Sequence, residues 1–550
     1  MKVYEALAHA VAAEGVDTLF GLMAEDNMNF MVELNELYGD RIRIIGASHE
    51  QNAMAMADGY ARASGRLGVC SVGRGPGIAQ TGTTLVSAAK RRSKLLVIVP
   101  DAPVSNPHDI KRFRQSDFLE SLGVAVVPVR GSRTLAADVR QAFKAARAGR
   151  GPVALSIPWD LLDGDFEGSW SYEPATEPVT PYSQRLQPDA EKIREAAAIL
   201  AASERPPIIL AGRGAVTSGA KEAIERLAER LGALLATTLQ GKDLFAGHPY
   251  NLGVIGTFAT TLAADFIARS DCVLAVGCSL NNYTTHSGQL LMRPQVIQID
   301  ADPARIEAVT PVDLAIVADA KAAVEALEQE LEREGVNRAA RFWTDALRQQ
   351  IAAVTPIHDG VRDWPDTPGT MDPRDFIVEL DRILPENRLI VMDGGHFVRW
   401  VIDGITVGHP DNMVWTLDFA AIGQGLGAAI GAALARRDRH TVLIAGDAGF
   451  MMAIQELETA VRYGVPLTVI VMNDQALGSE FQNLRKAGRP VALSCIETPD
   501  LASVARSFGA RGLTVRSLDE VPYIAEHIDP SGTPLVVDAR INREVRHRSK

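Results

Sequence analysis

Short runs of β-branched and other apolar residues alternate with longer alanine-rich segments along most of the chain. Runs such as LLVIVP and LTVIVM are apolar throughout, which is typical of strands buried on both faces of a parallel sheet. The segments between them carry apolar residues at helical spacing. The alternation therefore predicts an α/β protein built from doubly wound parallel sheets.

Two stretches rich in proline, tryptophan and charged residues interrupt the alternation. DFEGSWSYEPATEPVTPYSQRLQP and HDGVRDWPDTPGTMDP are predicted to be extended linkers. Because a single core rarely grows beyond about 250–300 residues, a chain of 550 residues is expected to form several domains. The pattern predicts three α/β domains, at residues 1–165, 189–335 and 371–550. Their predicted strands are TLFGL, IRIIGAS, LGVCSVG, KLLVIVP and GPVALSIP in the first, PPIILAG, ALLATT, CVLAVG and QVIQID in the second, and RLIVMDGG, HTVLIAG, PLTVIVM and PLVVDA in the third.

Composition and charge exclude several classes of protein. The net charge of −12 argues against a general nucleic-acid-binding protein. No run of about 18 apolar residues suggests a membrane span. The four cysteines form no CxxC pair, which fits a reducing compartment and gives no zinc signature. The first segment, MKVYEALAHAVAAEGVDTLFGL, predicts an amphipathic helix and a strand rather than a signal peptide, so we expect a cytoplasmic protein.

The most informative stretch is HTVLIAGDAGFMMAIQELETAVRYGVPLTVIVMND, in the third predicted domain. A strand ends in the small-residue turn Gly446-Asp447-Ala448-Gly449, a helix carrying IQELETAVRYG follows, and the next strand ends at Asp474. The small turn residues let a backbone approach a phosphate, and a helix N-terminus favours an anion. If the two strands are neighbours, the carboxylates lie side by side and repel unless a cation sits between them. Oxygen ligands around a diphosphate suit magnesium or calcium.

The turn and the 27-residue spacing from Asp447 to Asp474 resemble the diphosphate motif of thiamine-diphosphate enzymes. The flanking FMMAIQELETAVRYGVPLTVIVMND is most similar to the acetolactate synthase and 2-oxo-acid decarboxylase branch. The resemblance implies thiamine diphosphate and Mg2+ as cofactors, with the metal held by Asp447, Asp474 and the carbonyl of Ala476. Asp474 stands where the family usually has asparagine. An aspartate still offers an oxygen, so we expect metal binding to survive.

A second segment, RIRIIGASHEQNAMAMADGYARASG, places Glu50 after a strand and at the start of a helix. Taken alone, this glutamate is equally well explained as a helix cap that the dipole favours. The run resembles the HE…MADGYAR segment of the same family, which implies that Glu50 hydrogen-bonds a nitrogen of the cofactor's aminopyrimidine and activates the thiazolium carbon. In this family the pyrimidine and diphosphate halves bind to different subunits. The resemblance therefore implies a homodimer or homotetramer with active sites between subunits.

Three further segments resemble cofactor-binding parts of the family. SVGRGPGIAQT resembles the turn beside the pyrimidine, and implies contacts from Gly75, Pro76 and Gly77; an ordinary glycine turn is the alternative. FAAIGQGLGAAIGAALA resembles the helix whose bulky residue bends the cofactor and implies Ile422; a helix-packing glycine face is the alternative. MDGGHFVRW resembles the strand end near the diphosphate, where His396 is either a phosphate donor or a structural histidine.

The residues that would face the substrate are less sharply defined. Glu480 lies six residues after Asp474, where the decarboxylase branch has a glutamate, and is predicted to be a proton donor unless it is a surface helix residue. Gln115 stands for the family's substrate-side glutamine. Arg92, in KRRSK, is either a carboxylate or phosphate ligand or a solvated helix end.

The central domain carries flavin in acetolactate synthases, so FAD is an open question here. LAGRGAVTSG is a loose glycine loop after a strand, and QVIQID ends in an acid that would suit a ribose. The arginine expected after VG is replaced by Ser279-Leu280, which weighs against FAD.

The resemblance implies cleavage and formation of C–C bonds on a 2-oxo acid such as pyruvate, with a carbonyl compound as acceptor. Other donors remain open, namely a 2-hydroxyacyl-CoA, an oxalyl thioester or a cyclic dione. From a different class, a cofactor-binding regulatory subunit without turnover remains an alternative.

Overall fold

The computed structural model describes residues 1–176, 185–360, 364–529 and 532–546. These residues contain three six-stranded sheets, and every pair of hydrogen-bonded strands in them is parallel. The predicted α/β fold with three parallel sheets is confirmed. Parts of both predicted linkers, residues 177–184 and 361–363, lie outside the described residues, as do 530–531 and 547–550 at the end of the third predicted domain.

The first and third sheets have the same strand order. The first sheet contains β1 (Thr18–Gly21), β2 (Arg43–Gly46), β3 (Gly68–Ser71), β4 (Leu95–Asp101), β5 (Ala125–Pro128) and β6 (Val153–Pro158), in the order β2-β1-β3-β4-β6-β5. The third contains β13 (Arg388–Met392), β14 (Met413–Trp415), β15 (His440–Gly446), β16 (Leu467–Asn473), β17 (Arg511–Val515) and β18 (Leu535–Arg540), in the order β14-β13-β15-β16-β18-β17. Both orders reverse direction between the first and third strands, and such a switch point is where ligands bind in open α/β sheets.

The second sheet follows the strand order of dinucleotide-binding folds. It contains β7 (Ile208–Ala211), β8 (Leu234–Thr237), β9 (Asn251–Val254), β10 (Cys272–Val276), β11 (Gln295–Asp300) and β12 (Leu314–Val317), in the order β12-β11-β10-β7-β8-β9. Its two faces are covered by separate apolar clusters.

Helices connect the strands of each sheet. Around the first sheet these are α1 (Val3–Ala13), α2 (Met28–Tyr38), α3 (Glu50–Ser64), α4 (Pro76–Ala79), α5 (Gly82–Arg91), α6 (Gln115–Ser121), α7 (Leu135–Arg147) and α8 (Trp159–Leu162). The second sheet is accompanied by α9 (Ala190–Ala202), α10 (Arg213–Thr217), α11 (Lys221–Leu231), α12 (Thr261–Arg269), α13 (Asn282–Thr285), α14 (Ala320–Arg333), α15 (Ala339–Phe342) and α16 (Asp345–Ala352). The last part of the chain contains α17 (Pro373–Ile383), α18 (Val398–Gly404), α19 (Gly425–Ala435), α20 (Asp447–Met451), α21 (Glu456–Arg462), α22 (Gly478–Lys486), α23 (Leu501–Ser507) and α24 (Pro522–His527).

The described residues divide into two compact units. One contains the first and third sheets, in residues 1–176, 366–398, 411–529 and 532–545. The other contains the second sheet, in residues 185–360, 364–365 and 399–410, together with residue 546. The boundaries of the three domains predicted from sequence stay a prediction. Within the described residues, no helix is both long enough and apolar enough to cross a bilayer.

The core of the first unit is centred on the packing of α3 against α19. Both helices are almost entirely buried, and both are rich in alanine and glycine. Gly59 packs against the carbonyl of Ala428, and Gly431 packs against the carbonyl of Met56. Neither position has room for a side chain. The missing side chains let the two backbones touch, so small residues rather than large apolar ones set the distance between these helices.

Gly431→Ala tests this packing. A methyl group at position 431 would overlap the Met56 carbonyl oxygen, so one helix must shift, and we expect the substitution to destabilise the protein by about 1–3 kcal/mol. Gly82→Ala is the matched control, because a methyl group there would meet only ordinary contacts at 3.5 Å and beyond. The control should be neutral or gain up to about 1 kcal/mol from helix propensity. Equal melting temperatures for the two variants would contradict the packing argument.

Candidate functional site

Three acids lie together along the carboxyl edge of the third sheet. β15 pairs with β13 on one side and with β16 on the other. Asp393 follows β13, Asp447 follows the last residue of β15, and Asp474 follows the last residue of β16. The condition for the predicted cation site, that the strands bearing Asp447 and Asp474 are neighbours, is therefore met. The edge between β13 and β15 is also the switch point of this sheet.

The turn after β15 presents a buried carboxylate. Gly446 is the last residue before α20, which begins at Asp447 and includes Ala448 and Gly449. Asp447 is only 2% exposed, and its Oδ2 atom accepts no hydrogen bond from the described residues. A buried carboxylate oxygen without a donor is costly, so this atom fits a cation ligand.

The loop after β16 is fixed by its own side chains. Asp474 Oδ1 accepts a hydrogen bond from the Ala476 amide at 3.0 Å, and Gln475 between them has a φ of +53°. Asn473 braces the loop, because its amide group donates to Asp538 at 2.8 Å and its Oδ1 accepts from the Gln475 amide at 3.2 Å. The structure thus places Asp474 and Ala476 in one tight turn, which is what the predicted metal ligands require.

The pKa values of the two carboxyl groups at these strand ends are both raised. Burial raises the pKa of Asp447, and burial together with the charge of Asp447 raises the pKa of Asp474. Both shifts show that the protein alone does not stabilise two negative charges here. A divalent cation would, because oxygen ligands at this density are what Mg2+ prefers. Among the described residues, no group of three or more His, Cys, Asp and Glu side chains could hold a metal ion, so the candidate ligands here are two carboxylates and a backbone carbonyl.

Gly478 packs directly against Asp474 and His396. A side chain at position 478 would lie 2.5 Å from Asp474 Oδ2 and 2.9 Å from the Cβ atom of His396. His396 is buried, and its Nε2 lies 3.4 Å from the carbonyl oxygen of Val545. His396 and Asp474 therefore flank the same glycine, which places the predicted phosphate donor next to the predicted metal ligand.

Asp393 organises this edge, although no role for it was predicted from the sequence. Its Oδ2 accepts a hydrogen bond from the Gly423 amide at 2.9 Å and lies 2.7 Å from where a Cβ of Gly449 would be. Ile422 contacts the same glycine, with its Cβ 3.5 Å from that position. Burial raises the pKa of Asp393. Asp393 thus contacts both the segment of Ile422, the predicted cofactor-bending residue, and the turn that contains Asp447.

Glu50 begins α3 at the carboxyl edge of the first sheet. His49 is the N-cap of this helix, and its Nδ1 accepts a hydrogen bond from the Gln51 amide at 3.1 Å. From the sequence, Glu50 could also have been the cap of this helix. In the structure His49 is the N-cap instead. Glu50 is half-buried, and its Oε1 lies 3.4 Å from where a Cβ of Gly77 would be. The glycine at position 77 keeps space open beside this carboxyl group.

The turn that contains Gly75, Pro76 and Gly77 is held by Gln115. Gly75 has a φ of +62° and precedes α4, and its amide donates to Gln115 Oε1 at 3.2 Å. The side-chain amide of Gln115 donates in turn to the carbonyl of Pro100 at 2.9 Å. The structure therefore brings Gln115, the turn and Glu50 together, with Gln115 buried behind the turn.

A buried ion pair beside this turn was not found from the sequence. Arg74 donates to Asp26 at 2.5 Å and to Asp109 at 3.0 Å, and its guanidinium lies 4.3 Å from the centre of the Trp159 ring. Asp26 belongs to the loop after β1. A buried arginine requires such partners, and the two aspartates provide them.

Two candidates lie at the protein surface. Glu480 is exposed in the first turn of α22, and Arg92 is exposed at the C-terminal end of α5 with a φ of +60°. The structure does not gather either residue with the buried acids described above.

The glycine loop of the second sheet is filled by protein. The amides of Gly212 and Gly214 donate to the carbonyls of Val276 and Gly277 at 2.9 and 2.8 Å. A side chain at Gly212 would overlap Cys278. These glycines allow close packing between β7 and β10, so the loop gives no support for a flavin phosphate site.

Three family models match the chain. The thiamine pyrophosphate enzyme N-terminal TPP binding domain matches residues 1–121, the central domain matches 193–327, and the C-terminal TPP binding domain matches 393–539. The two TPP binding models cover the elements that contain Glu50 and the Asp447 turn, respectively.

Similar proteins are found along the full length of the chain. A probable acetolactate synthase large subunit of Methanocaldococcus jannaschii is 30% identical, over 98% of this chain and 92% of its own length. The acetolactate synthase large subunit of Haemophilus influenzae is 28% identical, over 94% and 90%. A sulfoacetaldehyde acetyltransferase of Castellaniella defragrans is also 28% identical, over 96% and 91%.

Proposed function

Because the chain belongs to the thiamine pyrophosphate enzyme family, in its acetolactate synthase-like branch, we propose that it cleaves and forms C–C bonds at the carbonyl of a 2-oxo acid such as pyruvate, using thiamine diphosphate and Mg2+. The observation that carries the proposal is the pair of buried carboxylates, Asp447 and Asp474, on adjacent strand ends. A carbonyl compound would be the acceptor.

The residues at the third sheet fit a metal-bound diphosphate. Asp447 has a buried oxygen without a donor, and Asp474 lies in the adjoining loop. The glycines at 449 and 478 let Asp393 and Asp474 pack closely against the backbone at this edge. Asp447, Asp474 and the Ala476 carbonyl would hold Mg2+, while the Gly446–Gly449 turn and His396 would face the diphosphate. When bound, thiamine diphosphate supplies the electron sink for loss of CO2 from the 2-oxo acid.

In this proposal Glu50 moves the proton that activates the cofactor. Its carboxyl group would hydrogen-bond a ring nitrogen of the aminopyrimidine, beside the Gly75–Gly77 turn that Gln115 holds. Ile422 would support the bent cofactor from the side of Gly449. Gln115 acts on this site through the turn, and Glu480 is proposed as the proton donor to the substrate.

The proposal includes at least a homodimer, because the resemblance to the family implies active sites shared between subunits. A homotetramer is the larger assembly expected. A cytoplasmic location is proposed from the four cysteines, which are all free. FAD is left out of the proposal because the glycines of its candidate loop pack against protein.

A product assay tests this function. The purified protein, with thiamine diphosphate and Mg2+, is given a panel of 2-oxo acids led by pyruvate, with and without an aldehyde, and products are followed by NMR. Acetolactate or acetoin from pyruvate is the expected result, absent in Glu50→Gln. If Glu480→Gln turns over at the wild-type rate with intact cofactor binding, Glu480 has no part in the reaction.

A second donor class belongs in the same assay. Because relatives named sulfoacetaldehyde acetyltransferase align over nearly the whole chain, sulfoacetaldehyde is the alternative donor worth testing. If no 2-oxo acid gives a product although the bound cofactor exchanges its thiazolium proton, the proposed donor is wrong. Sulfoacetaldehyde, an acyl-CoA or a cyclic dione would then be favoured as the donor. A bound cofactor that does not exchange would favour the regulatory-subunit alternative.

A further inference from the structure

The segment Gly46–Asn52, which contains Glu50, is held by residues that lie more than 400 positions later in the chain. The holding residues belong to α21 and the residue after it, in the third-sheet part of the same compact unit. α21 follows α20, the helix that begins at the predicted metal ligand Asp447, after residues 452–455. The segment with the proposed activator is therefore fastened to the third-sheet part of its own chain.

Glu456 makes the central contacts. Its side chain is completely buried, at 0% exposure. The two carboxylate oxygens accept from the Ser48 amide at 3.1 and 3.2 Å, and Oε1 also accepts from the side-chain amide of Asn52 at 3.3 Å. Thr459 donates to Oε2 at 2.7 Å. Ser48 and Asn52 lie two residues before and two residues after Glu50, so Glu456 holds the backbone on one side of the activator and a side chain on the other.

Two neighbours of Glu456 fasten the start of the segment. The Gly46 amide donates to the hydroxyl of Tyr463 at 2.8 Å, and Arg462 donates to the Gly46 carbonyl at 2.6 Å. The amide and the carbonyl of Gly46, the last residue of β2, are thus both hydrogen-bonded to side chains from the third-sheet part. We call Glu456, Arg462 and Tyr463 the clamp.

The electrostatics show that the clamp is not simple space filling. Burying a carboxylate is costly, and burial raises the pKa of Glu456. An apolar residue would fill the same space without this cost, but it could not accept hydrogen bonds from the start of α3. A negative group there also interacts favourably with the dipole of that helix. The cost is therefore explained by a requirement to fix the 46–52 segment.

We propose that Glu456 is a positioning residue for Glu50, and that the clamp sets the distance and angle at which the Glu50 carboxyl group meets the cofactor. This inference rests on the proposed function, because it needs Glu50 to act on thiamine diphosphate. A displacement of about 1 Å at a reacting group costs up to about a hundredfold in rate. Loss of the clamp should therefore lower the rate of cofactor activation far more than it lowers cofactor affinity.

Hydrogen–deuterium exchange at the thiazolium carbon tests this inference directly. Exchange is measured by NMR in D2O with saturating thiamine diphosphate and Mg2+, for wild type, Glu456→Gln and Glu50→Gln, and the cofactor dissociation constant is measured separately. We expect Glu456→Gln to slow exchange about tenfold to a hundredfold while affinity stays within about threefold. Glu526→Gln, an exposed carboxylate in α24 of the same unit, should exchange like wild type.

The outcomes separate this inference from the proposed function. If Glu50→Gln blocks exchange and Glu456→Gln exchanges at the wild-type rate, the positioning role is wrong and the proposed function stands. If Glu50→Gln exchanges normally, the activator is wrong and the positioning role falls with it. If Glu456→Gln does not fold, Tyr463→Phe decides, because it removes only the hydroxyl that accepts from Gly46. A wild-type rate in folded Tyr463→Phe would overturn the inference, and slower exchange at unchanged affinity would support it.

Discussion

Replacing Glu50 with glutamine is expected to slow proton exchange at the thiazolium carbon of bound thiamine diphosphate by about 10²–10⁴-fold. Glutamine has the size of glutamate and fits beside Gly77, where Glu50 Oε1 now lies, but it cannot transfer a proton. The exchange rate, measured by NMR in D2O at saturating cofactor and Mg2+, isolates this step from substrate binding. Turnover of the donor substrate should fall at least as far.

The control for this prediction is Glu120→Gln, which removes an exposed carboxylate from α6 in the same sheet region. It should leave exchange unchanged. A Glu50→Gln protein that binds the cofactor and still exchanges its proton at the wild-type rate would show that another group activates the thiazolium carbon. A Glu50→Gln protein that no longer binds the cofactor would show instead that Glu50 acts mainly in binding.

Asp474→Asn is expected to have two opposite effects. Without metal, it should stabilise the protein, because it removes a buried carboxylate whose pKa is raised by burial and by the charge of Asp447. With metal, it should weaken Mg2+ binding about tenfold, because one anionic ligand becomes neutral; each tenfold change corresponds to about 1.4 kcal/mol. Melting temperatures with and without Mg2+ and thiamine diphosphate, together with a Mg2+ titration, measure both effects.

The same substitution changes the pH dependence. The pKa of Asp447 is raised to about 7 and that of Asp474 to about 8, from an ordinary value of 3.8. Because the folded protein binds more protons than the unfolded chain in this range, metal-free stability falls as the pH rises from about 4 to about 8. Mg2+ competes with those protons, so stabilisation by Mg2+ should grow over the same range. Asp474→Asn should flatten both trends.

Two results would contradict this account of the pair. A metal-free Asp474→Asn protein that melts below wild type would mean that Asp474 is stabilised by its loop contacts more than it is destabilised by Asp447. Unchanged Mg2+ affinity would mean that Asp474 is not a metal ligand. Glu497→Gln, an exposed acid in the loop after α22, is the matched control and should change neither quantity.

The sequence predicted the central strands well and missed strands at the sheet edges. The five missed strands, β5, β9, β12, β14 and β17, all lie at an edge of their sheet. Polar residues or glycine interrupt β9 and β17. β5, β12 and β14 are apolar, but each has only three or four residues, and apolar spacing alone does not assign so short a run to a strand. β2 is the exception, an edge strand that its Ile-Ile pair revealed.

One predicted helix is two helices in the structure. The stretch from Asp447 to Gly464 was expected to contain a turn and then one helix carrying IQELETAVRYG. Instead α20 begins at Asp447 itself, and α21 begins at Glu456 after a break at residues 452–455. Apolar spacing alone does not reveal this break, since FMMAI continues without proline or glycine. The break places Glu456 where it reaches Ser48.

The candidate site shows a similar division. Asp447 and Asp474 could be predicted because a short motif at a fixed spacing carries them. Glu456 could not, because its partner Ser48 is 408 positions away and its own surroundings look like an ordinary helix. Asp393 was missed for the same reason, since its partner at Gly423 is 30 positions away. Residues whose role depends on a distant partner require the fold.

The identical strand orders of the first and third sheets point to the history of the chain. In each sheet one long buried helix connects the second strand to the third, α3 in one case and α19 in the other, and these two equivalent helices pack on each other. Contact between equivalent elements is how an isologous dimer is built. The turn after β3 and the turn after β15 are also equivalent, so the Gly75–Gly77 turn and the Gly446–Gly449 turn descend from one ancestral turn if the sheets arose by duplication. If the chain arose in this way, every chain carries one copy of each half of the proposed site, with Glu50 in one and Asp447 in the other, whatever the size of the assembly.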